Sequence, residues 1–153
     1  MVEELKIRIC GYEQFEEKLI RLGAKFSKCL DVVDTYFHQL PGEVLKITED
    51  DSGDYLVNLK SRNGKFEIAK YEPIQDVEAV KKGLADKFGV KCILRKKRRF
   101  FDFENYMINI NLIEGIGEFL IIEGENLNPK ALTMILGLNN PEIVTISFDN
   151  LVR

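Results

Sequence analysis

Charged and apolar residues alternate along several stretches of this chain. The run from Ile93 to Phe101 carries the most charge, and milder examples span residues 4–9, 45–48 and 65–68. Because successive side chains of a β-strand point to opposite faces, each stretch is expected to have one apolar face and one charged face. An open sheet would expose the charged face to water. A closed barrel would instead make it the lining of an interior that binds a ligand of opposite sign.

The wider pattern predicts strands joined mostly as hairpins, with three helices between them. Turn signals such as Asn63-Gly64 and the run 50–54 separate the strands, and repeated hairpins make an antiparallel sheet. Eight strands are enough to close a barrel with a filled interior, so we predict an α+β fold: an eight-stranded antiparallel closed β-barrel (tunnel) with peripheral helices. The predicted strands are 2–10, 30–37, 44–49, 55–60, 65–72, 91–101, 104–112 and 119–123, and the predicted helices are 12–22, 77–88 and a short one between 129 and 137.

Length and composition narrow the class of protein. The chain has 153 residues, of which 45% are hydrophobic and 31% charged, which favours one globular domain over residues 1–153. No apolar run is long enough to cross a membrane, and the first residues lack the apolar region of a signal peptide, so a cytoplasmic protein is expected. The three cysteines and the single histidine, His38, show no metal-ligand spacing.

Strand parity gathers a set of polar side chains on one face of the predicted barrel. Cations dominate this set, and converging Lys and Arg side chains suit phosphate groups, while the scattered carboxylates suggest Mg²⁺ or Mn²⁺. Asp34 is expected either to line the interior or to orient a neighbouring cation. The set comprises Glu4, Lys6, Arg8, Lys46, Thr48, Asn58, Lys60, Lys65, Glu67, Lys96, Arg98, Asn109, Asn111 and Glu123.

Two other interpretations of these charges stay open. Each charged residue could belong to an ordinary solvated sheet face, although like charges side by side on a sheet are destabilising and require compensation. The run 95–99 could form a nucleic-acid patch, but period two divides it between both faces, and aromatic residues for base stacking are absent until Phe100. The net charge of −3 gives no general attraction to polyanions.

The order and spacing of several short motifs resemble one family, the CYTH superfamily or triphosphate tunnel metalloenzymes. This family includes class IV adenylyl cyclases, thiamine triphosphatases and inorganic tripolyphosphatases. The resemblance covers nearly the whole chain. The segments that carry it are Glu4-Leu5-Lys6 (the end of E-x-E-x-K), Asp34-Thr35-Tyr36-Phe37 (DTYF), Leu45-Lys46-Ile47-Thr48-Glu49 (LRIRE), Leu59-Lys60, Lys65-x-Glu67 (R-x-E-x-E), Lys96-x-Arg98-x-x-Phe101 (K-x-R-x-x-Y), residues 115–123 (GLGxFxEIE), Leu136-Gly137-Leu138 and Ile146-Ser147-Phe148.

The resemblance implies a tunnel that grips a triphosphate compound such as ATP, thiamine triphosphate or tripolyphosphate. It also implies Mg²⁺ or Mn²⁺ as cofactor, and it allows a homodimer. Lys6 and Arg98 carry over as catalytic residues. The phosphate-binding positions are Lys6, Lys46, Lys60, Lys65, Lys96 and Arg98, and the metal-binding positions are Glu4, Glu67 and Glu123.

Departures from the family pattern fall mainly on acidic positions. Val2, Ala69, Asn111 and Ile121 stand where the family has carboxylates, and Thr48 replaces an arginine. Because a hard divalent cation needs oxygen ligands, metal binding is predicted to be weakened or rearranged. Two functional hypotheses follow: a metal-dependent triphosphate phosphohydrolase or adenylyl-cyclase-like enzyme, and a non-catalytic module that binds phosphates or polyphosphates. A nucleic-acid surface is the third and least favoured hypothesis.

Overall fold

A computed structural model describes residues 2–152, and a barrel with three helices accounts for most of them. Within these residues no helix has the length and apolarity required to cross a membrane. The elements are β1 (Val2–Ile9), α1 (Tyr12–Arg21), β2 (Lys25–Phe37), β3 (Glu43–Asp50), β4 (Gly53–Arg62), β5 (Lys65–Pro73), α2 (Val77–Phe88), β6 (Val90–Phe103), β7 (Tyr106–Ile113), β8 (Gly117–Glu125), α3 (Pro129–Ile135), β9 (Glu142–Ile143) and a 3₁₀ helix (Phe148–Leu151).

Eight antiparallel strands close into a barrel. The order around the sheet is β5-β4-β3-β2-β6-β7-β8-β1, and β1 pairs with β5 to complete the ring, while the short β9 adds to β1. The closing pairing is brief, with Glu3 opposite Glu67 and Glu4 opposite Phe66. The closed eight-stranded α+β barrel is therefore confirmed, because all eight predicted strands and all three predicted helices are present.

β2 and β6 extend together beyond the ends that the sequence pattern predicts. β2 begins at Lys25 rather than Leu30, and β6 continues to Phe103. The added residues pair with each other, since Lys25 lies opposite Asp102 and Phe26 opposite Phe101, with a bulge before Lys28. This extension was missed because residues 25–29 are polar or exposed and lack an apolar face.

Separate apolar clusters lie outside and inside the barrel wall. Helices α1 and α3 cover the outer faces of β1, β7 and β8 through residues such as Leu5, Leu19 and Leu132. Helix α2 covers the outer faces of β2 and β3 at Phe37 and Ile47. The interior cluster consists of Tyr36, Val44, Val57, Leu59, Phe66, Leu94, Ile113, Phe119, Ile121, Val144 and Phe148. The lumen is thus partly apolar, and its polar groups are confined to one region.

Candidate functional site

A buried polar cluster occupies the middle of the lumen, and adjacent strands place its members side by side. Glu4 on β1 lies directly opposite Glu123 on β8, and Asp34 on β2 lies opposite Thr48 on β3. Arg98 on β6 lies opposite Asn111 on β7. The cluster brings together six of the predicted site residues: Glu4, Lys6, Lys46, Lys96, Arg98 and Glu123.

Asp34 is the centre of this cluster. Its carboxylate accepts hydrogen bonds from Lys46 Nζ at 2.8 Å and Thr48 Oγ1 at 2.6 Å, and Lys96 Nζ lies 2.6 Å away. Burial opposes the charge of Asp34, but the two ammonium groups outweigh burial and hold the pKa of Asp34 well below its usual range. The prediction that Asp34 orients neighbouring cations is confirmed.

Two of the buried lysines lie against aromatic rings. Lys6 Nζ is 4.0 Å from the centre of the Phe66 ring and 4.2 Å from that of Phe148. Lys96 Nζ donates to Tyr36 Oη at 2.7 Å and lies 4.7 Å from the Phe148 ring. Burial lowers the pKa of Lys6 to about 8, although Glu4 opposes the shift, and it also lowers the pKa of Lys96. An incoming anion would stabilise the charged form of both lysines.

Glu4 and Glu123 form a carboxyl pair at the edge of the cluster. Burial and the neighbouring Glu4 carboxylate raise the pKa of Glu123 to about 8. Burial also opposes the charge of Glu4, but Lys6 and a hydrogen bond from Glu123 lower its pKa. Arg98 Nη2 lies 3.9 Å from Glu123 Oε1. The two carboxyl groups therefore share one proton, as expected when like charges are forced together.

The open space in the lumen is divided at Arg98. An inner cavity of about 20 Å³ lies among the cations and is lined by Arg98, Lys6, Asn111 and neighbours. An outer cavity of about 320 Å³, which we call the mouth, is also lined by Arg98. The inner cavity is large enough for about one water molecule, so a phosphate group enters it only if the side chain of Arg98, which separates the two cavities, moves aside.

The C-terminal segment packs at the far end of the lumen. The Phe148 ring packs 4.8 Å from the Phe119 ring, near the start of β8, whereas Glu123 near the end of β8 lines the mouth. Asp149 accepts a hydrogen bond from Lys91 at 2.9 Å. The sequence pattern assigned no site role to Phe148 or Asp149. A further cavity of about 320 Å³ lies at this end and is lined by Val44, Phe66 and Asp149 among others.

Three predicted site residues lie outside the lumen. Lys60 is exposed on β4, Lys65 Nζ lies 3.0 Å from Glu3 Oε2, and Glu67 Oε1 lies 3.6 Å from Arg62 Nε. The predicted parity of β4 and β5 is wrong by one residue, which turns every side chain of a strand to the other face. The lumen positions of these strands are apolar instead: Val57, Leu59, Phe66 and Ile68. Ala69 lies at a bulge between the Leu59–Ile68 and Asn58–Lys70 pairs.

The basic run 95–99 is divided between the two faces, as predicted. Lys96 and Arg98 point into the lumen, whereas Arg99 binds Glu16 through two hydrogen bonds of 2.7 and 2.9 Å on the outer surface. Lys97 Nζ lies 3.8 Å from Asp31 Oδ1. Carboxylates partly neutralise the outward cations, so this region does not resemble a continuous basic surface for nucleic acid.

The oxygen atoms near the inner cavity could bind one divalent cation if a bound ligand supplied the remaining oxygens of its coordination sphere. Within residues 2–152, no three His, Cys, Asp or Glu side chains converge on a point. Glu4 and Glu123 nevertheless supply two carboxylates, and Asn111 Oδ1, a buried oxygen for which residues 2–152 provide no hydrogen-bond partner, lines the inner cavity with Glu4. Mg²⁺ typically binds one or two carboxylates plus phosphate oxygens and water.

Comparisons with known proteins identify the fold but not the family. No protein-family model and no curated protein matches the chain. Among solved structures, the PH1012 protein from Pyrococcus horikoshii OT3 is 23% identical with a TM-score of 0.87, and all of both chains is covered. A candidate adenylate cyclase from Vibrio parahaemolyticus is 14% identical with a TM-score of 0.74 and coverage of 99% and 97%.

A third structure is the candidate adenylyl cyclase HpAC1 from Hippeastrum, described as having a dominant triphosphatase activity. It is 15% identical, with a TM-score of 0.65, and covers 97% of this chain and 93% of its own. At these identities the comparisons establish a shared fold alone. The chain adopts the closed barrel fold found in these three proteins.

Proposed function

We propose that this protein binds a triphosphate compound in the barrel lumen, which the compound enters through the mouth. The observation that carries the proposal is the convergence of four cations, Lys6, Lys46, Lys96 and Arg98, on one small buried cavity. Burying so many cations is costly unless they are paired or bind an anion. The triphosphatase activity described for the Hippeastrum protein of the same fold supports the choice of ligand.

The four cations have different relations to a phosphate ligand. Arg98 stands between the two cavities, and its guanidinium can bind two phosphate oxygens at once. Asp34 holds Lys46 and Lys96 in place, so these lysines are already oriented before a ligand arrives. Lys6 lies between the rings of Phe66 and Phe148, and a bound phosphate would stabilise its charged form, which burial disfavours.

Binding by these residues is testable with matched arginine variants. Arg98→Ala removes the lumen guanidinium, whereas Arg95→Ala removes an exposed arginine of the same strand. A charge-assisted hydrogen bond contributes about 1.5–3 kcal/mol, so Arg98→Ala should weaken triphosphate binding by about 10- to 150-fold. Isothermal titration calorimetry with ATP, thiamine triphosphate and tripolyphosphate measures this loss. Equal losses in both variants, or no binding by the wild-type protein, would refute the proposal.

A second candidate function is divalent-metal-dependent hydrolysis or cyclisation of the triphosphate, and the carboxyl pair favours it. Glu4, Glu123 and Asn111 Oδ1 would hold Mg²⁺ or Mn²⁺, which would neutralise phosphate charge and orient the attacking water or hydroxyl. The roles of this chain's own residues are to bind the phosphates through Arg98 and Lys6 and, through the apolar wall, to exclude water from them.

Product analysis separates the two candidates. Release of phosphate, or of pyrophosphate with cyclic AMP, is measured with Mn²⁺ and with Mg²⁺ in wild type, Glu123→Gln and Glu118→Gln. Glu118 lies near the start of β8, away from the mouth, and serves as the control. Turnover that Glu123→Gln abolishes and Glu118→Gln retains supports the enzyme. Binding without turnover of any of the three ligands leaves the protein as a binding module.

A further inference from the structure

The mouth of the lumen is built differently from its centre. Its cavity of about 320 Å³ has the size of a small-molecule pocket, and aromatic and aliphatic side chains form much of its wall. The lining residues are Lys28, Leu30, Asp50, Ser52, Tyr55, Ile68, Tyr71, Arg98, Phe100 and Glu123. The charged residues of the mouth are two cations, Lys28 and Arg98, and two acidic residues, Asp50 and Glu123, so the mouth is less basic than the inner cavity with its four cations.

Two tyrosines at this mouth pack ring against ring. The rings of Tyr55 and Tyr71 lie 5.0 Å apart, centre to centre, with an angle of 32° between their planes. The Tyr55 hydroxyl donates to the Ser52 carbonyl oxygen at 3.2 Å, which fixes that ring. Tyr71 remains 50% exposed. The Tyr71 ring is therefore available for stacking.

A third ring positions the two cations beside this pair. Lys28 Nζ lies 5.1 Å from the centre of the Phe100 ring, and the Arg98 guanidinium carbon lies 5.0 Å from it. Arg98 lines both the inner cavity and the mouth, so a ligand whose phosphate groups bind Arg98 would extend into the mouth. The inner cavity holds about one water molecule, so most of any ligand has to lie in the mouth, against the aromatic and aliphatic wall.

We infer that the ligand is an organic triphosphate whose flat heteroaromatic group stacks on the exposed ring of Tyr71, which packs against Tyr55, rather than inorganic polyphosphate. This inference rests on the proposed function and names the ligand class of the same site. A purine nucleotide and thiamine triphosphate share the required chemistry, which is an aromatic ring linked to a chain of phosphates. Stacking of a base on an aromatic side chain contributes about 1–3 kcal/mol, which provides selectivity over a ligand that lacks the ring.

The experiment compares ATP, thiamine triphosphate and tripolyphosphate by calorimetry in wild type, Tyr71→Ala, Tyr71→Phe and Phe26→Ala. Phe26 is the matched control because it is 49% exposed and also packs against one aromatic ring, that of Phe101. At least one organic triphosphate should bind wild type about tenfold or more tightly than tripolyphosphate. Tyr71→Ala should weaken that ligand by about 5- to 150-fold and leave tripolyphosphate within about twofold, while Tyr71→Phe and Phe26→Ala should change neither.

The outcomes distinguish failure of this inference from failure of the proposed function. If tripolyphosphate binds as tightly as both organic ligands, the inference is overturned while the proposed function stands. Equal losses of organic-ligand affinity in Tyr71→Ala and Phe26→Ala would overturn it as well. If none of the three compounds binds wild type, both proposals fall. Selectivity for ATP over thiamine triphosphate, or the reverse, identifies the ring that the mouth accepts.

Discussion

Removing the charge of Asp34 is expected to destabilise the barrel strongly. The Asp34→Asn variant keeps the shape of the side chain and the hydrogen bond to Thr48, but it leaves Lys46 and Lys96 without their shared carboxylate. The side chains of Asp34 and Lys96 are 1% and 2% exposed, so water cannot replace the lost partner. Breaking a buried ion pair from one side costs about 3–5 kcal/mol, a large part of the 5–15 kcal/mol that stabilises a typical domain.

The measurement is thermal and urea unfolding followed by circular dichroism, because the chain has no tryptophan. For a chain of this size the melting temperature should fall by about 6–20 °C. Asp31→Asn is the control, since Asp31 lies three residues earlier on the same strand, is 81% exposed and pairs with Lys97. This exposed pair should contribute at most about 1 kcal/mol. A loss for Asp34→Asn no larger than for Asp31→Asn would refute the assignment of Asp34 as the charge centre.

A compensating substitution tests the cause of the loss. Asp34→Asn combined with Lys96→Met removes one of the two cations that lose their partner. The free energy of unfolding of the double variant should therefore be about 1–3 kcal/mol higher than that of Asp34→Asn alone. The pH dependence gives a second check. The pKa of Asp34 is depressed on folding, so its contribution is complete above the unfolded value of about 3.9 and decreases as the pH falls through the folded value. Asp34→Asn should lack this part of the acid-induced loss of stability.

Three further changes test other parts of the structure. Lys60→Ala should leave triphosphate affinity within about twofold, whereas Lys46→Ala should weaken it by about tenfold or more, and equal calorimetric losses would contradict the outward position of Lys60. Phe148→Ala should lower the free energy of unfolding by about 3–5 kcal/mol, which urea titration measures, and a loss below about 1 kcal/mol would mean that Phe148 does not pack in the lumen. Gly124→Ala should destabilise the fold by about 1–3 kcal/mol, because the new Cβ would lie 2.8 Å from Tyr106 Cδ1. Gly83→Ala in α2 places a Cβ with no atom within 4 Å and should stabilise the fold by about 0.5–1 kcal/mol. Thermal unfolding that ranks these two variants the other way would contradict both expectations.

The strands and helices were predictable because each has a local signal. Turn residues such as Asn63-Gly64 mark the hairpins, and Asp76 and Asn128 cap the starts of α2 and α3 with their side chains. Closure of the barrel was inferred from strand number and is confirmed by the β1–β5 pairing. The C-terminal segment had no such signal. Phe148 and Asp149 are placed by contacts with residues far away in sequence, such as Phe119 and Lys91.

The position of the polar cluster was predictable on six strands and not on β4 and β5. On β1, β2 and β3, and on β6, β7 and β8, the residues at alternating positions differ clearly, as in Leu5 against Lys6 and Ile110 against Asn111. On β4 the residues Leu56, Val57 and Leu59 leave the parity ambiguous. The resemblance then favoured Lys60, Lys65 and Glu67 as lumen residues, and the structure places Leu59, Phe66 and Ile68 there instead.

The helices explain why polarity changes sides around the barrel. Where α1, α3 and α2 cover the outside, the outer residues are apolar, as Leu5 and Ile47 show, and polar residues are left for the lumen. On β5 the outer Lys65 and Glu67 pair with charged neighbours instead of packing under a helix, so the apolar residues Phe66 and Ile68 turn inward. The lumen faces of β4 and β5 are therefore apolar, and the buried charges come from the other strands. Such a lumen suits a ligand that has both charged phosphates and an apolar ring. If Lys65 and Glu67 faced inward instead of Phe66 and Ile68, β5 would offer no apolar wall to that ring.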